Sequence, residues 1–178
     1  KLVAIPGKNT TAHLLFSLAF PKATNKVFKV FHEIENAVLN EEVDAGVIIH
    51  ENRFTYAGKG LHKIIDLGEY WEQQLNLPIP LGGIVVNTKI DTTIALQVDA
   101  LIKESVAYAF ANNDVLTDYI KCHAQEMSEA VMRQHIDLYV NNYSLQLGVD
   151  GRNAVLKLLK VYNSIFGLKD TDKNIFID

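Results

Sequence analysis

Leu2-Val3-Ala4-Ile5-Pro6-Gly7-Lys8-Asn9-Thr10-Thr11-Ala12 changes character twice over a short stretch. Leu2 to Ile5 is an apolar run and predicts a buried strand. Pro6-Gly7 ends it in a turn. From Thr10 the spacing becomes helical: Ala12, Leu15, Phe16 and Ala19 recur at intervals of three and four, until Pro21 stops the pattern. A strand feeding a turn and then a helix predicts an α/β protein.

The alternation continues outward from there. Val27 to Phe31 alternates apolar and polar residues, as a half-buried strand does. Ile34, Val38 and Leu39 predict a short helix. Val43 to Ile49, rich in β-branched residues, predicts a second buried strand, and Lys63 to Asp66 a further short one. Glu69 to Asn76 is helical in pattern. Pro78 and Pro80 break the chain, and Leu81 to Val86 returns to a strand. Beyond Asp91 the strand signal disappears. Asp91 or Thr92 can cap a helix whose apolar face includes Ile94, Val98, Leu101, Ile102 and Ala109. Asp114 and Ser128 can start two more. A last helix begins near Asp150, with Val155, Leu158, Leu159, Tyr162, Ile165 and Phe166 on one face and Gly167 as its stop. A soft boundary falls near Asp91, between an α/β lobe over residues 1–90 and a helical region over 91–178.

Composition narrows the function classes. The chain has 178 residues, 48% hydrophobic and 21% charged, with a net charge of −4. No stretch clusters Lys or Arg, which argues against a nucleic-acid surface and against adhesion to anionic membranes. The longest apolar runs, such as Val47 to Ile49, are far too short to span a bilayer, and no secretory signal is visible. There is no initiator Met, so the chain reads as part of something longer. Its single cysteine, Cys122, cannot form an internal disulfide, which favours a cytoplasmic setting. Cys122 lies on a predicted helix without an activating neighbour and is expected to be a buried structural thiol.

In open α/β sheets, ligands bind beyond the carboxyl ends of the strands. That rule singles out the residues after Ile5, after Ile49 and around Leu81 to Gly83. The turn Pro6 to Ala12 presents a helix N-terminus, whose free N–H groups and dipole suit an anion. Thr10 and Thr11 add hydroxyls there, although a threonine at this place also serves as a plain helix cap. The spacing is not that of a phosphate loop. His50 emerges at the end of a predicted strand, where a neutral imidazole can take a proton near pH 7. It can equally be a histidine that only bonds the loop. Glu51 is a possible orienting partner, and Arg53 and Tyr56 follow. Gly82 and Gly83 allow close backbone approach to a ligand, or simply shape the connection. His13, His32, His62, His123 and His135 are weaker candidates, and no pair has the spacing of a zinc site. Trp71 beside Tyr70 is expected to pack rather than to stack on a ligand.

Taken in order, Val3-Ala4-Ile5-Pro6-Gly7 with Thr10-Thr11-Ala12, Asp44 to Glu51 with Arg53-Phe54-Thr55-Tyr56, Asp66-Leu67-Gly68 with Trp71-Glu72, and Leu77-Pro78 with Pro80-Leu81-Gly82-Gly83 form a recognisable series. Ser105 to Ala109 and Tyr139 to Leu145 fit it as well. The series resembles the 1,4-dihydroxy-6-naphthoate synthases of the futalosine route to menaquinone. That resemblance implies a two-lobed fold like the periplasmic solute-binding proteins (type II), with this chain beginning at the second lobe. The helices after Thr92 would return to pack on a first lobe that this chain lacks. It also implies a lyase acting on cyclic dehypoxanthine futalosine, a small-molecule carboxylate, with no metal or organic cofactor. His50 would be the base, Thr11 and Ala12, with Thr10 beside them, would bind a substrate oxygen or carboxylate, and Gly82 and Gly83 would border the cleft. Two other readings are a chorismate dehydratase of the same pathway and a solute-binding module that captures a small anion without chemistry. The His50-Glu51 and Pro80-Leu81-Gly82-Gly83 strings favour the synthase.

Overall fold

The computed structural model describes residues 1–50, 52–112, 116–124, 128–169 and 174–177. Glu51 and Asp114, read above as a partner for His50 and as a helix start, lie outside the described residues. The chain divides into two compact units, Lys1–Ile79 with Ala154–Leu168, and Pro80–Asn153 with Lys169–Asp178.

The first unit is built on a small parallel sheet. Strand β1 is Val3–Ile5 and is followed by helix α1, Thr11–Ala19. Strand β2 is Lys26–Phe28. A single 3-10 turn, Phe31–Glu33, leads into helix α2, Ile34–Leu39. Strand β3 is only Ala45–Gly46. The strand order is β2-β1-β3, with β1 central and parallel to both neighbours. Ala4 stands opposite Val27 on one side and Gly46 on the other. Parallel neighbours need crossover connections, and α1 and α2 supply them. Ala4, Ile34, Ala37 and Val43 form the core between α2 and the sheet, with Leu2, Val27, Val38 and Ile48 packed against it.

Helix α3, Asn52–Thr55, and a 3-10 turn, Tyr56–Lys59, follow. Helix α4, Leu67–Leu75, packs on α1. Asp66 caps α4 by accepting from the amides of Gly68 and Glu69 at 2.9 and 3.2 Å. Trp71 is fully buried, and its indole N–H donates to Pro78 O at 3.2 Å, so it packs as expected.

Three strand expectations need correction. Val43 to Ile49 pairs over Ala45–Gly46 alone. The Val43 amide is spent on Ala37 O, closing the turn after α2, and His50 leaves the extended region with φ +57. Of the run's β-branched residues only Val43 is buried, and Val47, Ile48 and Ile49 are half-buried beyond the short strand. Lys63 to Asp66 is irregular, with Ile64 exposed. Leu81 to Val86 forms no strand, and Ile84 and Val85 are 79% and 93% exposed. A strand needs a partner for its backbone groups, which composition cannot provide.

The second unit contains helices and, among the described residues, no strand. Helix α5 is Thr92–Ala111, with the Asp91 carboxylate accepting from the Thr93 amide at 2.8 Å. Helix α6 is Asp118–His123, capped by Thr117. Helix α7, Glu129–Tyr139, starts after Ser128 as expected. Helix α8 is Asn142–Leu145, and helix α9, Gly148–Phe166, runs through residues of both units. Gly167 follows α9 at φ +67, the left-handed stop the sequence predicts. The apolar spacing of α5 does not mark a buried face: Ile94, Val98 and Leu101 are exposed, and only Ala95 is buried. Cys122 is likewise exposed rather than buried, with its thiol donating to Tyr119 O at 3.2 Å. Among the described residues no helix is long and apolar enough to cross a membrane.

Candidate active site

Because β1 and β3 are adjacent and parallel, the segments that follow them leave the sheet at the same edge. One is the turn Pro6 to Thr10 that opens α1. The other is Val47 to His50. The sheet thus gathers the helix N-terminus and the histidine at the carboxyl ends of its strands, where α/β sheets hold ligands.

The turn is held tightly. Gly7 adopts φ +106, which a side chain would resist. The Thr10 hydroxyl donates to Gly7 O at 2.9 Å and accepts from the His13 amide at 3.1 Å. Thr10 therefore acts as the cap, and its hydroxyl proton is committed inside the turn. The Leu14 amide donates to Thr10 O. The amides of Thr11 and Ala12 donate to no acceptor among the described residues, as the first N–H groups of a helix do. Both residues are half-buried.

His13, a weak candidate by sequence, is buried and locked in place. Its Nδ1 meets Lys8 O at 2.7 Å, and a carbonyl there requires the proton on Nδ1. Its Nε2 is then an acceptor, 3.3 Å from Lys26 Nζ, which also donates to Ser17 Oγ at 2.9 Å. Burial holds the Lys26 ammonium below the usual lysine range. The His13 ring also meets the edge of Phe28 and lies against Phe166. His13 thus ties α1 to β2 and fixes the residues just after Thr11 and Ala12.

His50 is half-buried, with its ring centroid 5.0 Å from that of Phe31 and the planes inclined at 66°. Downstream, the chain turns into α3 rather than an open loop. Asn52, the first residue of α3, donates its side-chain amide to Glu35 Oε2. Lys59 donates to the same oxygen at 2.6 Å. Arg53 donates to Asp66 Oδ2 at 3.0 Å, linking α3 to the cap of α4. Sequence reading missed Glu35 and Phe31. A lone glutamate on a short helix reads as solvated, and its partners lie 17 and 24 residues away.

Gly82 and Gly83 belong to the second unit and are exposed. A Cβ at either would meet no atom within 4 Å. Among the described residues, no group of three or more His, Cys, Asp or Glu side chains is placed to hold a metal ion. His123 lies against Tyr119 and His135 against Tyr139, each within its own helix.

Fold and site together define a mixed α/β protein with a small parallel sheet whose carboxyl edge carries a helix N-terminus and a histidine. The chain belongs to the menaquinone biosynthesis family, whose model matches residues 1–164. It is 41% identical over 156 residues to the 1,4-dihydroxy-6-naphthoate synthase of Thermus thermophilus, covering 88% of this chain and 57% of that protein. It is 42% identical over 164 residues to the 1,4-dihydroxy-6-naphthoate synthase of Streptomyces coelicolor, covering 89% of this chain and 58% of that protein. A crystal structure of an Archaeoglobus fulgidus protein superimposes with a TM-score of 0.87 at 32% identity, over 94% of this chain and 63% of that one. The chain therefore spans somewhat more than half the length of the curated relatives it matches.

Proposed function

We propose that this chain carries part of a carbon–carbon lyase that converts cyclic dehypoxanthine futalosine to 1,4-dihydroxy-6-naphthoate in menaquinone biosynthesis. The observation that carries the reading is the pairing of β1 with β3, which brings the Thr11 and Ala12 amides and His50 to one sheet edge. The names of the two relatives support the reaction.

In this reading His50 takes a proton from the bound substrate, and the naphthoate separates from the sugar-derived part. The Thr11 and Ala12 amides receive a substrate carboxylate or oxygen at the positive end of α1. Thr10 shapes that receptor as its cap.

The whole protein in this reading has two lobes, like the type II periplasmic solute-binding proteins, and works in the cytoplasm. Residues 1–90 contribute the second lobe. The helices after Thr92 pack on the first lobe, which lies outside this sequence. The exposed apolar side chains Ile94, Val98 and Leu101 on α5 support that packing, because apolar surface of this kind marks a contact with another body.

The test is His50→Ala in the complete protein, with product formation followed by chromatography and substrate binding by calorimetry. Turnover is expected to vanish while binding survives. Unchanged turnover would remove His50 from the chemistry. Turnover by a longer chain carrying the upstream sequence, but not by these 178 residues alone, is expected from the two-lobe reading.

A further inference from the structure

His50 has φ +57, a left-handed conformation that residues with a Cβ avoid. A residue keeps such a conformation only where the chain on both sides is fixed. Upstream, the fixing is done by the sheet: the Val47 amide donates to Ala4 O at 2.9 Å, just past the Ala4–Gly46 pair. Downstream there is no sheet. There the chain is held by Glu35, whose Oε2 accepts from Asn52, two residues after His50, and from Lys59 at the end of the following 3-10 turn.

Stability is a poor reason for this arrangement. Glu35 is 3% exposed, and its Oε1 is buried without a hydrogen-bond partner among the described residues. A buried carboxylate with one oxygen unserved loses hydration that its ion pair does not fully return. Buried ionic groups of this kind are best attested as devices that fix one geometry. Both donors to Glu35 come from the segment that follows His50. The same stretch of chain, Phe31 to Leu39, also supplies the ring that stands against the His50 imidazole.

We propose that Glu35 is a positioning residue for His50: by gripping both ends of Asn52 to Lys59 it holds the His50 backbone in its left-handed turn and its imidazole in a fixed orientation. This rests on the reading of His50 as the base, and the experiment separates the two. In the complete protein, Glu35→Ala is expected to lower kcat about 100-fold while KM changes by less than about threefold, since misplacing a reacting group by an ångström has that effect on the chemical step. Glu35→Gln keeps an acceptor oxygen and is expected to fall between Glu35→Ala and the parent. The second readout is the imidazole resonance of His50 in selectively labelled protein, assigned with His50→Ala. It should move in Glu35→Ala, because the ring shifts relative to Phe31.

A moved resonance with activity surviving in His50→Ala would uphold the positioning role and sink His50 as base. Parent values of kcat and of the His50 resonance in Glu35→Ala would overturn the positioning role, whatever His50 does. If Glu35→Ala does not fold, Glu35→Gln and Asn52→Ala decide by the same two readouts. Parent behaviour in both would overturn the proposal, and a drop in kcat with a moved resonance would uphold it.

Discussion

The imidazole of His50 stands edge-on to the phenyl ring of Phe31, with centroids 5.0 Å apart. Edge-to-face contacts of this kind contribute about 0.5–1.5 kcal/mol beyond the area they bury. They also restrict how a ring turns, which matters for the base proposed here, since it must present one nitrogen. Phe31→Leu keeps most of the apolar volume and removes the contact. It is expected to cost about 1 kcal/mol of stability and to lower kcat about tenfold, the equivalent of about 1.4 kcal/mol in the barrier. Denaturant melts and steady-state kinetics check the two numbers. A parent kcat would show that the ring contact does not orient the histidine.

Gly46 is where α2 comes down on β3. A Cβ there would overlap the Cγ2 of Ile34 and come within 3.3 Å of the Cγ2 of Val38. Since Ile34 is fully buried, it has nowhere to go. Gly46→Ala is expected to destabilise the chain by about 1–3 kcal/mol, the usual cost of overpacking. The urea midpoint should fall with an unchanged slope. Ile34→Ala should relieve the overlap, so the double variant is expected to lose less than the sum of the two single losses. Additive losses would place the strain elsewhere.

Local signals made much of this fold legible. The strand at Leu2 to Ile5, observed over Val3–Ile5, the helix beginning after Thr10, and the cap at Asp91 or Thr92, which falls to Asp91, each depend on residues within one turn of one another. Non-local facts were not. Ile84-Val85-Val86 has the composition of a strand, but a strand also requires a neighbour, and none pairs with it among the described residues. Ile94, Val98 and Leu101 share one side of α5, yet spacing cannot say what covers that side. The strand-end rule pointed to the Thr11 to Ala12 turn and to His50, which follow β1 and β3 in the structure. Glu35 was invisible because its meaning comes from Asn52 and Lys59, which the sequence does not connect to it.

The acid limb of stability should carry a contribution from Glu42. Its carboxylate meets Lys29 Nζ at 2.9 Å, and that hydrogen bond and charge hold it below the usual glutamate range. A carboxylate whose folded pKa is depressed stabilises the fold above its unfolded pKa, and the contribution fades as pH falls through the folded value. Lys29 has the opposite sign. The same Glu42 hydrogen bond raises it, so its contribution persists below the unfolded lysine pKa and fades as pH climbs through the folded one. Glu42→Gln is therefore expected to lower the urea midpoint near neutral pH, and to converge with the parent once the pH has fallen through the depressed folded pKa of Glu42. The pair is exposed, so added salt should shrink the neutral-pH difference. A difference that persisted in acid would assign the effect to packing rather than charge.

The proposal that α1 receives an anion can be tested without disturbing the helix. Thr11 is the first residue of α1, the one position where proline suits a helix, because its missing N–H would have had no intrahelical partner. The residue before a proline must be extended, and Thr10 already is, at φ −126 and ψ 151. Thr11→Pro thus removes one of the two free amides while leaving the cap made by Thr10 intact. Folding stability is expected to stay within about 1 kcal/mol of the parent, as for a proline placed where the backbone already fits it. Substrate KM in the complete protein is expected to rise about tenfold, the equivalent of one hydrogen bond of about 1.4 kcal/mol to a charged group. Thr11→Val separates the contributions, since it removes the hydroxyl and keeps the amide. If Thr11→Val raises KM as much as Thr11→Pro does, the hydroxyl and not the helix terminus holds the substrate. If neither variant changes KM while both remain folded, Thr11 holds no substrate oxygen, and the carboxylate must be held by the Ala12 amide or elsewhere in the cleft.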